Sequence, residues 1–181
     1  MIFTPTPLDG SYLIDLEPFA DERGWFARFY CKEEFEAIQH DKEWVQLNHS
    51  ATYQKGSIRG MHFQLHPYKE IKMVRCVVGS VFDVIIDLRS NSPSFLQWVG
   101  AELSANNKRM MYIPRGFAHG FQTLENNCEL IYHHTEIYKP EAERGLRYND
   151  PRVGIRWPLP LGSISKKDSE HPFLEETFKG I

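Results

Sequence analysis

At 181 residues, with 41% hydrophobic and 25% charged side chains, the chain has the length and balance of one domain with a sizeable core. A formal net charge of −3 with no clustered basic face excludes a nucleic-acid footprint. The three cysteines, Cys31, Cys76 and Cys128, are odd in number and unclustered, which argues against a disulfide framework or a zinc site and fits reduced thiols in a cytoplasmic protein. No run is long and apolar enough to span a membrane, and Met1 to Pro7 carries no secretory signal pattern.

In chain order, an Asp9-Gly10 turn leads into a short strand, Tyr12 to Leu16. Pro18 to Gly24 reads as a loop, and apolar character resumes from Trp25 to Tyr30. Lys32 to His40 reads as a short surface helix, with Phe35 and Ile38 three apart on one side. From Val45 onward the pattern is strand after strand. The expected strands are Val45 to Ser50, Ser57 to Gln64, Lys72 to Gly79 and Val81 to Leu88. Gln97 to Leu103, Arg109 to Ile113, His119 to Leu124 and Glu129 to Tyr138 follow, all separated by Gly, Pro, Asn or Ser breakers. The tail from Pro158 is irregular, with a short helix expected around Phe173 to Phe178.

Many short strands without intervening helices predict an all-β fold, an antiparallel sandwich or barrel, and one domain over residues 1–181. An aromatic content of 13% suits such a core. No glycine-rich loop follows a strand and opens a helix, so neither a nicotinamide cofactor nor nucleotide hydrolysis is expected.

Alternation assigns side chains to faces. In Val81 to Leu88, Phe82, Val84, Ile86 and Leu88 form one apolar set, with Asp83 and Asp87 on the other face beside Val81 and Ile85. A buried carboxylate there needs a partner, and for Asp83 Lys72 or Tyr132 is plausible. In Leu130 to Tyr138, one face carries Leu130, Tyr132, His134, Glu136 and Tyr138, which suits either the wall of a polar pocket or a solvated face. Lys72 shares a face with Val74, Cys76 and Val78, either as an edge-strand guard or as a pocket cation. Two histidines stand out: His62 within Ser57-Ile58-Arg59-Gly60-Met61-His62-Phe63-Gln64, and His119 behind the Pro114-Arg115-Gly116 turn.

These stretches resemble the dTDP-4-dehydrorhamnose 3,5-epimerase family. So do Asp21-Glu22-Arg23-Gly24-Trp25-Phe26, Gln46-Leu47-Asn48, Lys72-Met73-Val74-Arg75, Pro140 to Gly145, Asn149-Asp150-Pro151 and the segment ending at Asp168. The resemblance implies a cupin-like antiparallel β-barrel (a jelly roll) with a few short peripheral helices, a homodimer, and no cofactor or metal. It also implies inversion of carbons next to the ketone of a nucleoside-diphosphate 4-keto-6-deoxyhexose. Carried over by position, His62 is the catalytic base, Asp168 the carboxylate that orients it, Tyr132 the acid on the opposite face, and Lys72 the cation on the 4-keto oxygen. Arg23, Gln46, Asn48, Arg59, His119, Tyr138 and Glu143 become contacts to the nucleotide sugar. The chain departs from the pattern at Ala27-Arg28, at His133-His134, and at Lys167 and Ser169 beside Asp168. Such changes can alter sugar or nucleotide choice, or restrict inversion to one carbon.

The chemistry accounts for the residue types. A C–H beside a ketone is far less acidic than an imidazolium of pKa about 6.5, so a base alone is insufficient. The forming enolate needs a charge partner where its oxygen develops, hence Lys72 beside His62. Inversion needs a donor on the far face, hence Tyr132. The planar forks of Arg23 and Arg59 suit a diphosphate. Three alternatives stand, one of them no enzyme at all: a nucleotide-sugar-binding or structural barrel that binds without turnover. A metal-dependent cupin would use His62, Gln64 or Glu70, and His119 as ligands. A 3-epimerase or ketoisomerase would use the same base on a related sugar.

Overall fold

Apolar side chains on both faces of the middle strands require a covered sheet on each side, and the chain meets this with two facing sheets and two outer layers. The computed structural model describes all 181 residues. Its strands are β1 (Ile2–Pro5), β2 (Tyr12–Asp15), β3 (Phe19–Asp21), β4 (Gly24–Phe26), β5 (Gln46–Thr52), β6 (Ile58–Gln64) and β7 (Lys72–Val78). The second half adds β8 (Ser80–Asp87), β9 (Trp98–Ser104), β10 (Met110–Ile113), β11 (Phe117–Thr123), β12 (Cys128–His134) and β13 (Glu143–Gly145). Two short helices, α1 (Lys32–Phe35, continued by a 3₁₀ turn over Glu36–Ile38) and α2 (Lys166–Ser169), lie outside the sheets. No helix is long and apolar enough to cross a membrane.

One sheet runs β1-β2-β10-β7-β12-β5 and the other β13-β6-β11-β8-β9, while β3 and β4 form a separate hairpin. All strand pairings are antiparallel. Between the two large sheets, Val74, Cys76, Met111 and Leu130 meet Val81, Ile85, Leu103 and Phe121. This is the expected jelly-roll barrel, with its polar cavity at one end of the interior.

Both outer faces are covered as well. Phe35 and Ile38 of the helical segment pack with Ile14, Met73 and Met110 on the six-stranded sheet. Val84, Ile86 and Leu88 of β8 point away from the barrel interior and pack with Met61, Phe63 and the tail residues Trp157, Leu174 and Phe178. The apolar set read from β8 is therefore an outer layer under the tail, and its Asp83 face is the interior one.

Three local readings are corrected and one element is added. Ile2–Pro5 is a strand; it lies at a sheet edge, where a proline removes no needed donor. Pro18 to Gly24 is not all loop, because Phe19–Asp21 pairs with Gly24–Phe26. The last long strand stops at His134 instead of Tyr138. The tail helix is at Lys166–Ser169, where Ser165 caps it by accepting the Asp168 N–H at 3.0 Å. Leu174 and Phe178 owe their spacing to packing on the sheet rather than to a helix.

Candidate active site

The cavity is framed by a close approach of β6 and β11. Gly60 has φ +123°, and a Cβ there would lie 2.6 Å from the Gly120 Cα and 2.8 Å from the His119 carbonyl oxygen. The β11 register against β6 shifts between His119 and Phe121, and His119 stands directly across from His62. The sequence thus brings its two prominent histidines to one place through a glycine that only a bare backbone can replace.

His62 Nε2 meets Asp168 Oδ1 at 2.8 Å, and Asp168 Oδ2 accepts the Gly60 N–H at 3.2 Å. The His62 side chain is 31% exposed and that of Asp168 6%, so the carboxylate sits behind the ring. Burial alone would raise the Asp168 carboxyl; the hydrogen bond and charge of His62, with the Gly60 N–H, outweigh it and hold the group below the usual carboxylate range. With Nε2 engaged, Nδ1 is the nitrogen left to accept a proton.

The facing wall comes from the other sheet. Tyr132 and His134 share the pocket face of β12, and Lys72 enters from β7. β7 lies between β10 and β12, so Lys72 is a pocket cation and not an edge guard. Its ammonium is 3.0 Å from Glu70 Oε1, and Glu70 Oε2 is 2.7 Å from His134 Nδ1. Burial pushes Glu70 up, but Lys72 and His134 together hold it below its ordinary range. The Tyr132 hydroxyl is 3.1 Å from Ser50 Oγ, and burial pushes its pKa up to about 12 against the opposing Ser50 hydrogen bond.

Nine of the eleven expected site residues line one cavity of about 270 Å³: Gln46, Asn48, Arg59, His62, Lys72, His119, Tyr132, Tyr138 and Glu143. That is close to the roughly 300–1,000 Å³ of small-molecule sites. Asp168 sits behind His62, hydrogen-bonded to it. Arg23 is the exception: it stands on the β3–β4 hairpin with 82% of its side chain exposed and its guanidinium on Asp21, outside the cavity of its own chain. At the rim, Tyr138 donates its hydroxyl to Glu143 at 2.8 Å, and Lys167 meets the same carboxylate at 2.5 Å.

Asp83 has a different partner from those expected, His119 Nε2 at 2.8 Å. The donors of the metal-cupin alternative are otherwise engaged: Glu70 by Lys72 and His134, and Gln64 by Tyr68 and Lys139. Glu70, read from sequence only as a possible metal ligand, instead reaches Lys72 from the connection before β7. His171, which no motif singled out, lies 3.6 Å from Asp168 Oδ1. His171 follows Asp168 by three residues, so the α2 turn alone could have paired them.

The sequence matches the signature of the family described as dTDP-4-dehydrorhamnose 3,5-epimerase over residues 5–176. The chain belongs to that family. A dTDP-4-dehydrorhamnose 3,5-epimerase of Salmonella typhimurium is 43% identical over 178 residues, 97% of either chain. The crystal structure of the 3,5-epimerase from Elizabethkingia anophelis superposes with a TM-score of 0.93 at 37% identity, covering 98% of both chains. That of the Legionella pneumophila enzyme, solved in complex with dTDP-4-keto-L-rhamnose, gives 0.90 at 38% identity over 95% of this chain and 92% of that one. These 3,5-epimerases are isomerases, and so is this member of the family.

Proposed function

We propose that the chain epimerises C3 and C5 of dTDP-4-dehydro-6-deoxyglucose to give dTDP-4-dehydrorhamnose, by proton removal and return through an enolate and without a cofactor. The observation that carries this is the pairing across the cavity: His62 on one sheet, backed by Asp168 of α2, faces Lys72 and Tyr132 on the other sheet.

His62 Nδ1 takes the proton from the carbon beside the ketone, and Asp168 stabilises the imidazolium that forms. Charge moves onto the 4-keto oxygen, where the largely buried Lys72 ammonium meets it. Tyr132 returns a proton from the far face, which inverts the centre. His62 then carries one proton too many and Tyr132 one too few, and exchange with solvent resets both. C3 and C5 flank the same carbonyl, so one cation serves both enolates. Arg59, Gln46, Asn48, His119, Tyr138 and Glu143 hold the rest of the nucleotide sugar.

The working unit is a homodimer. Phe19 (77% exposed), Phe26 (73%) and Trp25 (51%) on the hairpin, with Leu47 (61%) on the edge strand β5, form apolar surface that a second copy would cover. Arg23 then reaches a diphosphate only in the partner's cavity. Sedimentation should give two copies, and mixing inactive R23A with inactive H62A should restore activity if Arg23 works across the interface. The three free cysteines suit a reducing, cytoplasmic setting.

The test is turnover of dTDP-4-keto-6-deoxyglucose in D2O with deuterium counted at each carbon. Label at C3 and C5 supports double inversion; label at C3 alone makes the chain a 3-epimerase. His62→Ala should abolish label at both, and retained label would remove His62 from the base role.

A further inference from the structure

We propose that His62, Asp168 and His171 form a binding site for a divalent transition metal of the zinc class, and that filling it switches the catalytic base off. The donor atoms of the three side chains all lie within 4.8 Å of one another. Two imidazoles and one carboxylate are a donor set that such ions favour. Tetrahedral zinc with ligand bonds of about 2.0–2.1 Å places its donors roughly 3.3 Å apart. The observed separations bracket that value: 2.8 Å from His62 Nε2 to Asp168 Oδ1, and 3.6 Å from His171 Nε2 to the same oxygen.

A second observation points to a ligand. His171 Nε2 is buried and has no hydrogen-bond partner. A buried polar atom left unpaired in this way is costly unless something occupies it. The His171 side chain is 11% exposed, and its ring stands edge-on to His62 with centroids 5.5 Å apart. Its position depends on Gly145, the β13 residue paired with His62, because a Cβ at Gly145 would clash with the His171 ring at Nε2. The backbone therefore makes room for an imidazole beside the dyad. An ion has a route in, because His62 and Asp168 also line a second cavity of about 600 Å³.

The consequence rests on the reading of His62 as the base. In the working state, neutral His62 carries its proton on Nε2, towards Asp168, and Nδ1 is free to accept. A metal on Nε2 displaces that proton, and the neutral ring then holds its one proton on Nδ1. The lone pair that would take the substrate proton is gone. Asp168, now a metal ligand, no longer orients the ring. No proton is gained or lost overall; it moves from Nε2 to Nδ1 through solvent.

The experiment has two arms on the purified full chain. In the first, Co2+ is added as an optical probe without substrate. The wild type should develop the visible ligand-field bands of a tetrahedral site, and His171→Ala and His171→Asn should bind at least about 10-fold more weakly. In the second, Zn2+ is added during deuterium wash-in. It should inhibit the wild type, EDTA should reverse it, and both His171 variants should keep their metal-free turnover but lose zinc sensitivity. Absence of Co2+ bands in the wild type, or equal zinc inhibition of wild type and both variants, would overturn the proposal. The cobalt arm needs no turnover, so a failure of the epimerase reading stays distinguishable from a failure of the metal site.

Discussion

The division of labour between Tyr132 and His62 makes a prediction that reads each role separately. If the tyrosine is the far-face donor, Tyr132→Phe leaves proton removal intact and stops inversion. His62 then returns solvent deuterium to the face it came from. The expected outcome is label in recovered substrate with epimerised product down by about 10²–10⁴-fold, measured by NMR. Loss of both label and product would instead place Tyr132 in the abstraction step. Burial holds this phenol at about 12, so it stays protonated where an ordinary tyrosine ionises near 10. Titration at 295 nm should therefore find no phenolate contributed by Tyr132 at pH 10.5; wild type and Y132F should have equal absorbance changes up to that point. Lys72 is more constrained than a lone pocket cation, because its ammonium is held by Glu70, which also engages His134. The parity of β12 made Tyr132 and His134 legible as neighbours on one face. Glu70 was not legible as their partner, because it lies in a connection whose path no periodicity describes.

At the scale of elements, what could be read from sequence was what alternation controls, and what could not was what packing controls. The strands from β5 to β12 announce themselves by breakers at short spacing. The β3–β4 hairpin does not, because its three-residue strands carry exposed side chains and bury nothing in their own chain. Helix α2 hides for the opposite reason: its one buried residue is an aspartate. Its position depends on a cap, and that gives a test. Ser165→Ala removes the acceptor for the Asp168 N–H, which should cost about 0.5–2 kcal/mol locally and lower kcat more than it lowers the melting temperature. The close approach of β6 and β11 is less forgiving. At Gly60 a methyl group would meet the Gly120 backbone in a conformation that side chains rarely adopt. Gly60→Ala should destabilise by about 2–4 kcal/mol in denaturant titrations, and the displaced His62 should lose most of its activity even at temperatures where the variant is folded.

Across the whole molecule, one face of β8 carries Asp83, buried behind the cavity residue His119, and Asp87, in a structural cluster, so one strand supports both the cavity wall and the fold. Asp87 is fully buried. It accepts from Arg89 Nε and Nη2 at 2.9 and 2.7 Å, and from the hydroxyls of Ser92 and Ser94 at 2.5 and 2.7 Å. Burial pushes its carboxyl up, yet these donors prevail and hold it below the usual carboxylate range. Asp168 and Glu70 are depressed in the same sense. For each, the folded state binds its proton less readily than the unfolded chain does. The stabilising contribution is therefore complete above the ordinary carboxylate range and is lost as pH falls through the lower folded values. The protein should resist denaturant equally at pH 6 and 7 and weaken steeply below about pH 4. Asp87→Asn separates this from general acid sensitivity. At pH 7 the variant should be less stable by about 2–4 kcal/mol, because Arg89 loses its buried partner. At pH 3 the gap to wild type should narrow, since the wild-type carboxylate is then being protonated as well. A gap that stayed constant between pH 7 and 3, followed by urea unfolding, would mean that the cluster stabilises through shape and hydrogen bonding and not through its charge.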